Sequence, residues 1–414
     1  MEHIKSKSLS SLIFILLACF IFIRPFFSGL AYPVFEFYYE TAVISLAIII
    51  LFLSLREVYL KRSQDVRAKN NYAIPIILLS LAYIFSTAVS INIQNSLKET
   101  IKFISYISVF FIVSQADGNQ KKILIKIIVI CASMISIYCI YQYIWGYQHT
   151  LDYLKKINSD FVSTSIYAED ILLIDKRSIG TFPSPNILGG YLIIIFPLSL
   201  MLLKNTSSYS QKWVLLPILM VISLILTKSI GPILIFIATF IILLFSSDNT
   251  FKNKKLIFVI FIIFLSFALA FIIYNRWNRL VVFKSGHNPL TMRLNYWRTT
   301  MAIIKEHPFL GIGPGNFQEV FLKYYKLGWG TGTRYAHNIF LQIWSETGVL
   351  GLLSIIYLFM AFIRNTLNSK YLFLAGLAFV LHNLIDITYF MPEVGLFWWI
   401  IIGLACHEPE LKRY

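Results

Sequence analysis

The residues best suited to chemistry gather in one stretch, Tyr335-Ala336-His337-Asn338-Ile339-Phe340-Leu341-Gln342-Ile343-Trp344-Ser345-Glu346-Thr347-Gly348, which leads into an apolar run. On a helix, His337, Leu341 and Trp344 share a face, and Asn338, Gln342 and Glu346 form a polar row at i, i+4 and i+8. An imidazole with a pKa of about 6.5 can take a proton near neutral pH. Polar side chains entering an apolar bundle are costly and usually face its interior or water. A lone histidine is more often structural than catalytic, but the polar row and the segment before it favour function. Residues 275–347 hold nine basic and three acidic residues, net +6, a composition suited to an anionic ligand. Within it, 292–306 reads as a helix with an apolar stripe of Leu294, Trp297, Met301 and Ile304. Arg293, Arg298 and Lys305 lie off that stripe, as cations at headgroup depth or as snorkelling side chains. His307-Pro308 ends the helix and Gly311-Ile312-Gly313-Pro314-Gly315 makes a tight turn without dinucleotide or Walker spacing.

Other candidates are thinner. Glu36 and Glu40 are one turn apart, but two carboxylates without a third ligand are usually solvated or paired, so no metal or other cofactor is expected. Glu169, Asp170 and Asp175 lie in a polar segment and are expected to be solvated. The cysteines, Cys19, Cys131, Cys139 and Cys406, sit in apolar runs and form no Cys-x-x-Cys or Cys/His pairing.

These residues must be positioned by membrane-embedded elements. Charged residues are 14% and the apolar set is 57%, with a mean hydropathy of +0.71, leaving too little polar surface for a soluble globule. Apolar runs of roughly 20 residues, the length of a bilayer-crossing helix, recur at 9–29, 35–55, 72–91, 98–116, 123–146, 187–203, 213–227, 229–246, 256–274, 348–363, 371–391 and 395–406. The expected fold is therefore all-α: a polytopic integral membrane protein of about twelve transmembrane helices in one domain, 1–414. The first run has a basic, short lead like a signal peptide, and is read as a retained span because further runs follow. With a cytoplasmic N-terminus, the inner segments carry 18 Lys and Arg and the short outer ones four: Arg24, Lys98, Lys102 and Lys228. Both termini are then cytoplasmic, and two long loops, about 147–186 and 275–347, face outward. The net charge of +16 is read as anchoring charge, with no nucleic-acid partner expected.

At family level the blocks resemble O-antigen ligases and polymerases. The resemblance is carried by His337 with Gly348 after ten intervening residues, by Arg293-x-x-x-Trp297 followed by His307-Pro308-Phe309-Leu310-Gly311-Ile312-Gly313-Pro314-Gly315-Asn316-Phe317, and by Arg177-Ser178-Ile179-Gly180-Thr181-Phe182-Pro183-Ser184-Pro185-Asn186. The ligase-like core spans about 177–363. Where the family has Ser-Arg-Gly between the seventh and eighth spans, this chain has Thr227-Lys228-Ser229-Ile230-Gly231, and lysine lacks the planar fork of arginine. The resemblance implies a membrane glycosyltransferase C-like fold in the bacterial inner membrane, with its active site facing the periplasm or exterior. It also implies a metal-independent, inverting transfer of a glycan from an undecaprenyl diphosphate carrier to a sugar hydroxyl. The acceptor is lipid A–core in a ligase and another carrier-linked glycan in a polymerase. On this reading His337 is the base, Arg293 and Arg177 hold diphosphate with Lys228 and Arg298 as lesser partners, and Asn338 and Glu346 orient or tune the histidine. A lipid-linked glycan transporter or flippase is the alternative of a different class; it predicts charges inside the spans and paired broken helices.

Overall fold

The computed structural model describes residues 2–26, 71–157, 170–204, 211–246, 289–325 and 333–406, with a few positions between 266 and 274. The described residues are helical, with no strand among them. In chain order the helices are α1 (Glu2–Ile23), α2 (Ala73–Ala88), α3 (Ile93–Gln115), α4 (Gly118–Tyr141), α5 (Tyr147–Ile157), α6 (Pro185–Lys204), α7 (Gln211–Leu226), α8 (Ile230–Phe245), α9 (Pro289–Glu306), α10 (Phe317–Tyr324), α11 (Ile339–Thr366), α12 (Lys370–Asn383) and α13 (Pro392–Ala405). Three stretches are long and apolar enough to cross a membrane, Gly118–Lys156, Pro185–Lys204 and Ile339–Thr366, and shorter apolar helices flank them. This is the architecture of a membrane protein. The expected spans at 35–55 and, for the most part, 256–274 lie outside the described residues, as do Glu36, Glu40 and Glu169.

Local chemistry sets the helix starts. Asp117 and Gln120 form a reciprocal capping box at α4, and the Asn92 side chain accepts from Asn95 N at α3. Pro185 and Pro392 open α6 and α13, where a missing N–H costs nothing. The interior is apolar and aromatic: Trp398 stacks on Phe379 at 4.7 Å and meets Phe359 edge-on at 5.1 Å.

Contacts between distant segments show how the ends are gathered. One end is tied by Asn71 to Asn365 and by Lys121 to the Cys406 carbonyl, which covers the C-terminus of α13. The other is tied by Arg24 facing Glu393 at 3.9 Å, Thr181 donating to Pro25 O and Ser178 N donating to Leu226 O. Every candidate residue described below lies at this second end.

Candidate functional site

The site begins with a broken helix. α11 is two helical rods joined at Gly348, whose φ of 72° and ψ of −173° are not helical. The break frees carbonyls and amides on both sides, and the 307–317 turn docks there. Ile312 N donates to Ser345 O, Gly313 N to Glu346 O and Val349 N to Pro308 O, each within 3.0 Å. The Trp344 indole also donates to Pro308 O. A Cβ on Gly348 would lie 1.9 Å from Phe309 O, and one on Gly311 would lie 2.4 Å from the Glu346 backbone. These glycines let two backbone segments approach closely. Glu346 belongs to the same joint: its carboxyl oxygen accepts from Gly315 N at 3.0 Å, and no hydrogen bond or ion pair among the described residues links it to His337.

His337 is not on the helix that the 335–348 spacing implied. Asn338 takes the N-cap, its side chain accepting from Phe340 N and Leu341 N while donating to Leu384 O at 3.0 Å. His337 therefore sits in the preceding turn with φ of 54°, a left-handed conformation uncommon for non-glycine residues, though histidine enters it more readily than most. The three non-glycine residues with positive φ, among those described, are Lys176, Lys228 and His337, all in turns at this end. Strain of this kind persists where surrounding structure imposes it, and it clusters at functional sites.

Facing the His337 ring is Asp386, in the α12–α13 connection. The 371–391 apolar run was expected to be one span, but the helix stops at Asn383, where Leu384 and Ile385 amides turn back onto Leu381 and His382 carbonyls. Asp386 is buried at the centre of a set of donors. Its Oδ2 accepts from Asn186 Nδ2 at 3.0 Å and lies 3.5 Å from Arg293 Nη2; its Oδ1 accepts from Ile387 N and lies 3.8 Å from His337 Nδ1. Burial alone would raise its pKa, but the facing His337 and the charges of His382 and Arg293 outweigh it and hold the carboxyl well below the usual carboxylate range. Arg293 is anchored by Nε donating to Ile385 O at 2.7 Å. The His337 ring stacks on Tyr296 of α9 at 5.7 Å. Side-chain exposures of 24% for His337 and 20% for Arg293, against 5% for Asp386, leave the first two reachable and the carboxylate sealed behind them.

Hydrogen bonds extend this cluster to the first long loop. Arg177 donates through Nη2 to Asn186 Oδ1 at 3.1 Å and Ser229 Oγ at 2.8 Å, and through Nε to Thr227 O at 2.9 Å. Its fork thus clamps the α7–α8 turn to the start of α6. Lys228 is fully buried in that turn, donates to Asp175 O at 2.9 Å and lies 5.3 Å from the Phe271 ring centre. Asp175, expected to be solvated, is buried because the 175–178 segment lies under that clamp. The loop is fixed from its other side by a π-turn, Gln142–Gly146, that turns Gln142 inward, where its carbonyl oxygen accepts from Ile179 N and Gly180 N. Arg298 is exposed on the outer face of α9 and is not brought to the cluster.

The structure therefore brings together His337, Arg293, Asn338 and, through Asn186, Arg177. It gives Glu346 to the glycine joint and Lys228 to a turn. The sequence reading missed Asp386 and Asn186. An acid within an otherwise apolar run was the available signal for Asp386, because such a residue is rarely tolerated without a partner. Among the described residues no three His, Cys, Asp or Glu side chains come together in a way that would hold a metal ion.

An apolar helical bundle with a partly exposed histidine and guanidinium backed by a sealed carboxylate is the arrangement of a membrane protein with a polar cluster at its helix ends. Residues 215–356 match the family model described as O-antigen ligase, and over that stretch the chain is similar to this family. The match supports an O-antigen ligase or polymerase type of activity, that of a glycosyltransferase-like membrane enzyme. It contains His337, Arg293, Lys228 and the glycine joint; Arg177, Asn186 and Asp386 lie outside it. No curated protein matches the chain.

Proposed function

We propose that the protein transfers a glycan from an undecaprenyl diphosphate carrier to a sugar hydroxyl at the outer face of the inner membrane, as an O-antigen ligase acting on lipid A–core. The observation that carries this reading is the His337–Asp386–Arg293 cluster at the helix ends, within and beside the matched domain. With Nδ1 turned to Asp386, the Nε2 of His337 is left to take the acceptor hydroxyl proton, and the carboxylate supports the imidazolium that forms. The acceptor oxygen bonds to the anomeric carbon as the bond from that carbon to the diphosphate oxygen breaks. The leaving diphosphate carries its charge to Arg293, whose Nη1 takes no hydrogen bond among the described residues, with Arg177 holding the adjoining turn. One displacement inverts the anomeric centre, and the diphosphate linkage supplies the driving force without nucleotide or metal. The outward placement is supported by the 18 to four split of basic residues in short segments.

Purified protein given carrier-linked glycan and lipid A–core, with chelator and without nucleotide, should consume the donor and extend the acceptor. Donor that persists, or that crosses a vesicle bilayer unchanged, refutes transfer and points to a transporter. A cysteine at Ser163 or Gly328 should react with an impermeant reagent from outside, and one at Gln64 should not; the reverse pattern inverts the orientation.

A further inference from the structure

The outward face of α9 takes no part in the mechanism above, and its composition does not suit a surface left to water. Leu294, Arg298, Met301 and Lys305, at i, i+4, i+7 and i+11, are all exposed, whereas Tyr296, Thr300, Ile303 and Ile304 are buried on the opposite face. The apolar stripe expected from the sequence is thus divided: Ile304 turns inward, while Leu294 and Met301 turn outward beside two cations. No acid stands on the outward stripe, and Glu306, at its end, accepts from the Tyr324 hydroxyl of α10. Among the described residues neither Arg298 nor Lys305 makes a hydrogen bond or an ion pair.

The turn that follows carries this face to the start of a membrane-crossing rod. Phe309 and Leu310 are 74% and 43% exposed, although the Phe309 backbone is pressed against Gly348 and Pro308 O receives Val349 N at 3.0 Å. From this joint α11 runs through 348–363 without a charged residue, and it exposes Leu353, Tyr357 and Met360 at i, i+4 and i+7. Leu353 lies about 6 Å beyond Val349 along the rod. The exposed surface therefore changes near the joint from apolar alone to apolar mixed with cations. A hydrocarbon core meeting phosphate headgroups makes the same change. The buried face of α9 reaches the site, where Tyr296 stacks on His337 and Arg293 donates to Ile385 O.

We infer that Leu294, Arg298, Met301, Lys305, Phe309 and Leu310 dock on the membrane surface. The apolar side chains enter the leaflet that borders the His337 end, and the two cations hold phosphates of anionic phospholipid. Charge complementarity selects this occupant: two unengaged cations alternate with apolar side chains, and an acidic soluble partner would leave Phe309 and Leu353 in water. Because one helix carries both faces, the docking sets the depth of Arg293 and Tyr296. The inference needs no catalysis and stands or falls apart from the transfer reading.

Two measurements on the full chain in vesicles of phosphatidylcholine and phosphatidylglycerol test it. In the first, Phe309→Cys carries a bimane label in a Cys19→Ser background, since Cys19 is exposed and the other cysteines are buried. Phospholipid spin-labelled near the top of its acyl chain should quench the label more strongly than aqueous iodide does. Quenching by iodide as strong or stronger puts the turn in water, and quenching by neither puts it under another part of the protein; both overturn the docking. In the second, native mass spectrometry reads the lipid retained by the protein. Preference for phosphatidylglycerol over phosphatidylcholine should fall roughly fivefold in Arg298→Gln and about 25-fold when Lys305→Gln is added. Lys323→Gln, on α10 and off the stripe, should leave it unchanged. An unchanged preference in the double variant, or an equal fall in Lys323→Gln, overturns the inference.

Discussion

Two buried acidic side chains lie among the residues discussed, Glu346 and Asp386, and they are used in opposite ways. Glu346 accepts from the Gly315 amide, and its own carbonyl receives Gly313 N, so the residue is bound into the docking of one backbone segment on another. Asp386 instead gathers side chains: an amide from α6, a guanidinium from α9 and an imidazole from the turn before α11. Two of those side chains are partly exposed. A carboxyl that receives a backbone amide ties one segment to another, whereas one that gathers reachable side-chain donors is placed to serve chemistry. The motif that contains His337 and Gly348 mixes the two, so its residues are expected to fail differently when changed.

The largest effect should come from the architectural half. Gly348→Ala places a Cβ against Phe309 O on a backbone with φ of 72°, and folded protein should largely disappear from detergent extracts measured by size-exclusion chromatography. Abundant, monodisperse Gly348→Ala protein would refute the tight joint. His337→Ala should instead fold normally and lose about 10²–10⁴-fold in turnover per folded molecule. Near-native turnover would remove the histidine from the mechanism.

Asp386→Asn keeps an acceptor for Asn186 but loses the charge behind His337 and Arg293, so turnover should fall about 10- to 100-fold, with partial recovery in Asp386→Glu. It also has a signature apart from activity. A carboxyl held below its unfolded pKa contributes stability that is fully present above about pH 4 and lost as pH falls toward the folded value. Thermal stability of Asp386→Asn should therefore respond less to acid below pH 4 than that of the wild type; parallel curves would mean that the carboxylate is not held as described. Arg293→Lys cannot both donate to Ile385 O through Nε and reach Asp386 and phosphate, and about a tenfold loss in transfer is expected. A fully active lysine variant would show that a point charge suffices. The smallest effect belongs to Glu346→Gln, whose amide oxygen can still accept from Gly315 N. Transfer close to wild type is expected, and a loss as large as that of Asp386→Asn would erase the contrast between the two carboxylates.

Much of the bundle was legible because run length and composition are local properties. The expected 187–203, 213–227 and 229–246 correspond to α6, α7 and α8 within a few residues at each end. Ends were read less well where polar capping competes with apolar continuity. Asn338 stops helix growth one residue after His337, and the end of α12 at Asn383 sits inside a stretch apolar enough on average to read as one span. The histidine, Arg293 and the glycine turn were found from spacing, but what each touches is set by partners far away in sequence. Nothing near Gly348 announces Phe309 O, and nothing near Asn186 announces Asp386. Lys228 looked like a substitute phosphate ligand because residue type carries no information about burial in a turn.

The bond from Asn186 to Asp386 spans 200 positions of chain. At about 5–20 residues per second of synthesis, that separation is about 10–40 s on the ribosome. During this interval the nascent protein carries its first loop and later its guanidinium and imidazole without the carboxylate that aligns them. The alignment of these side chains is therefore a late event of synthesis, and a chain arrested before Asp386 should fall well short of full activity however well its earlier helices have inserted.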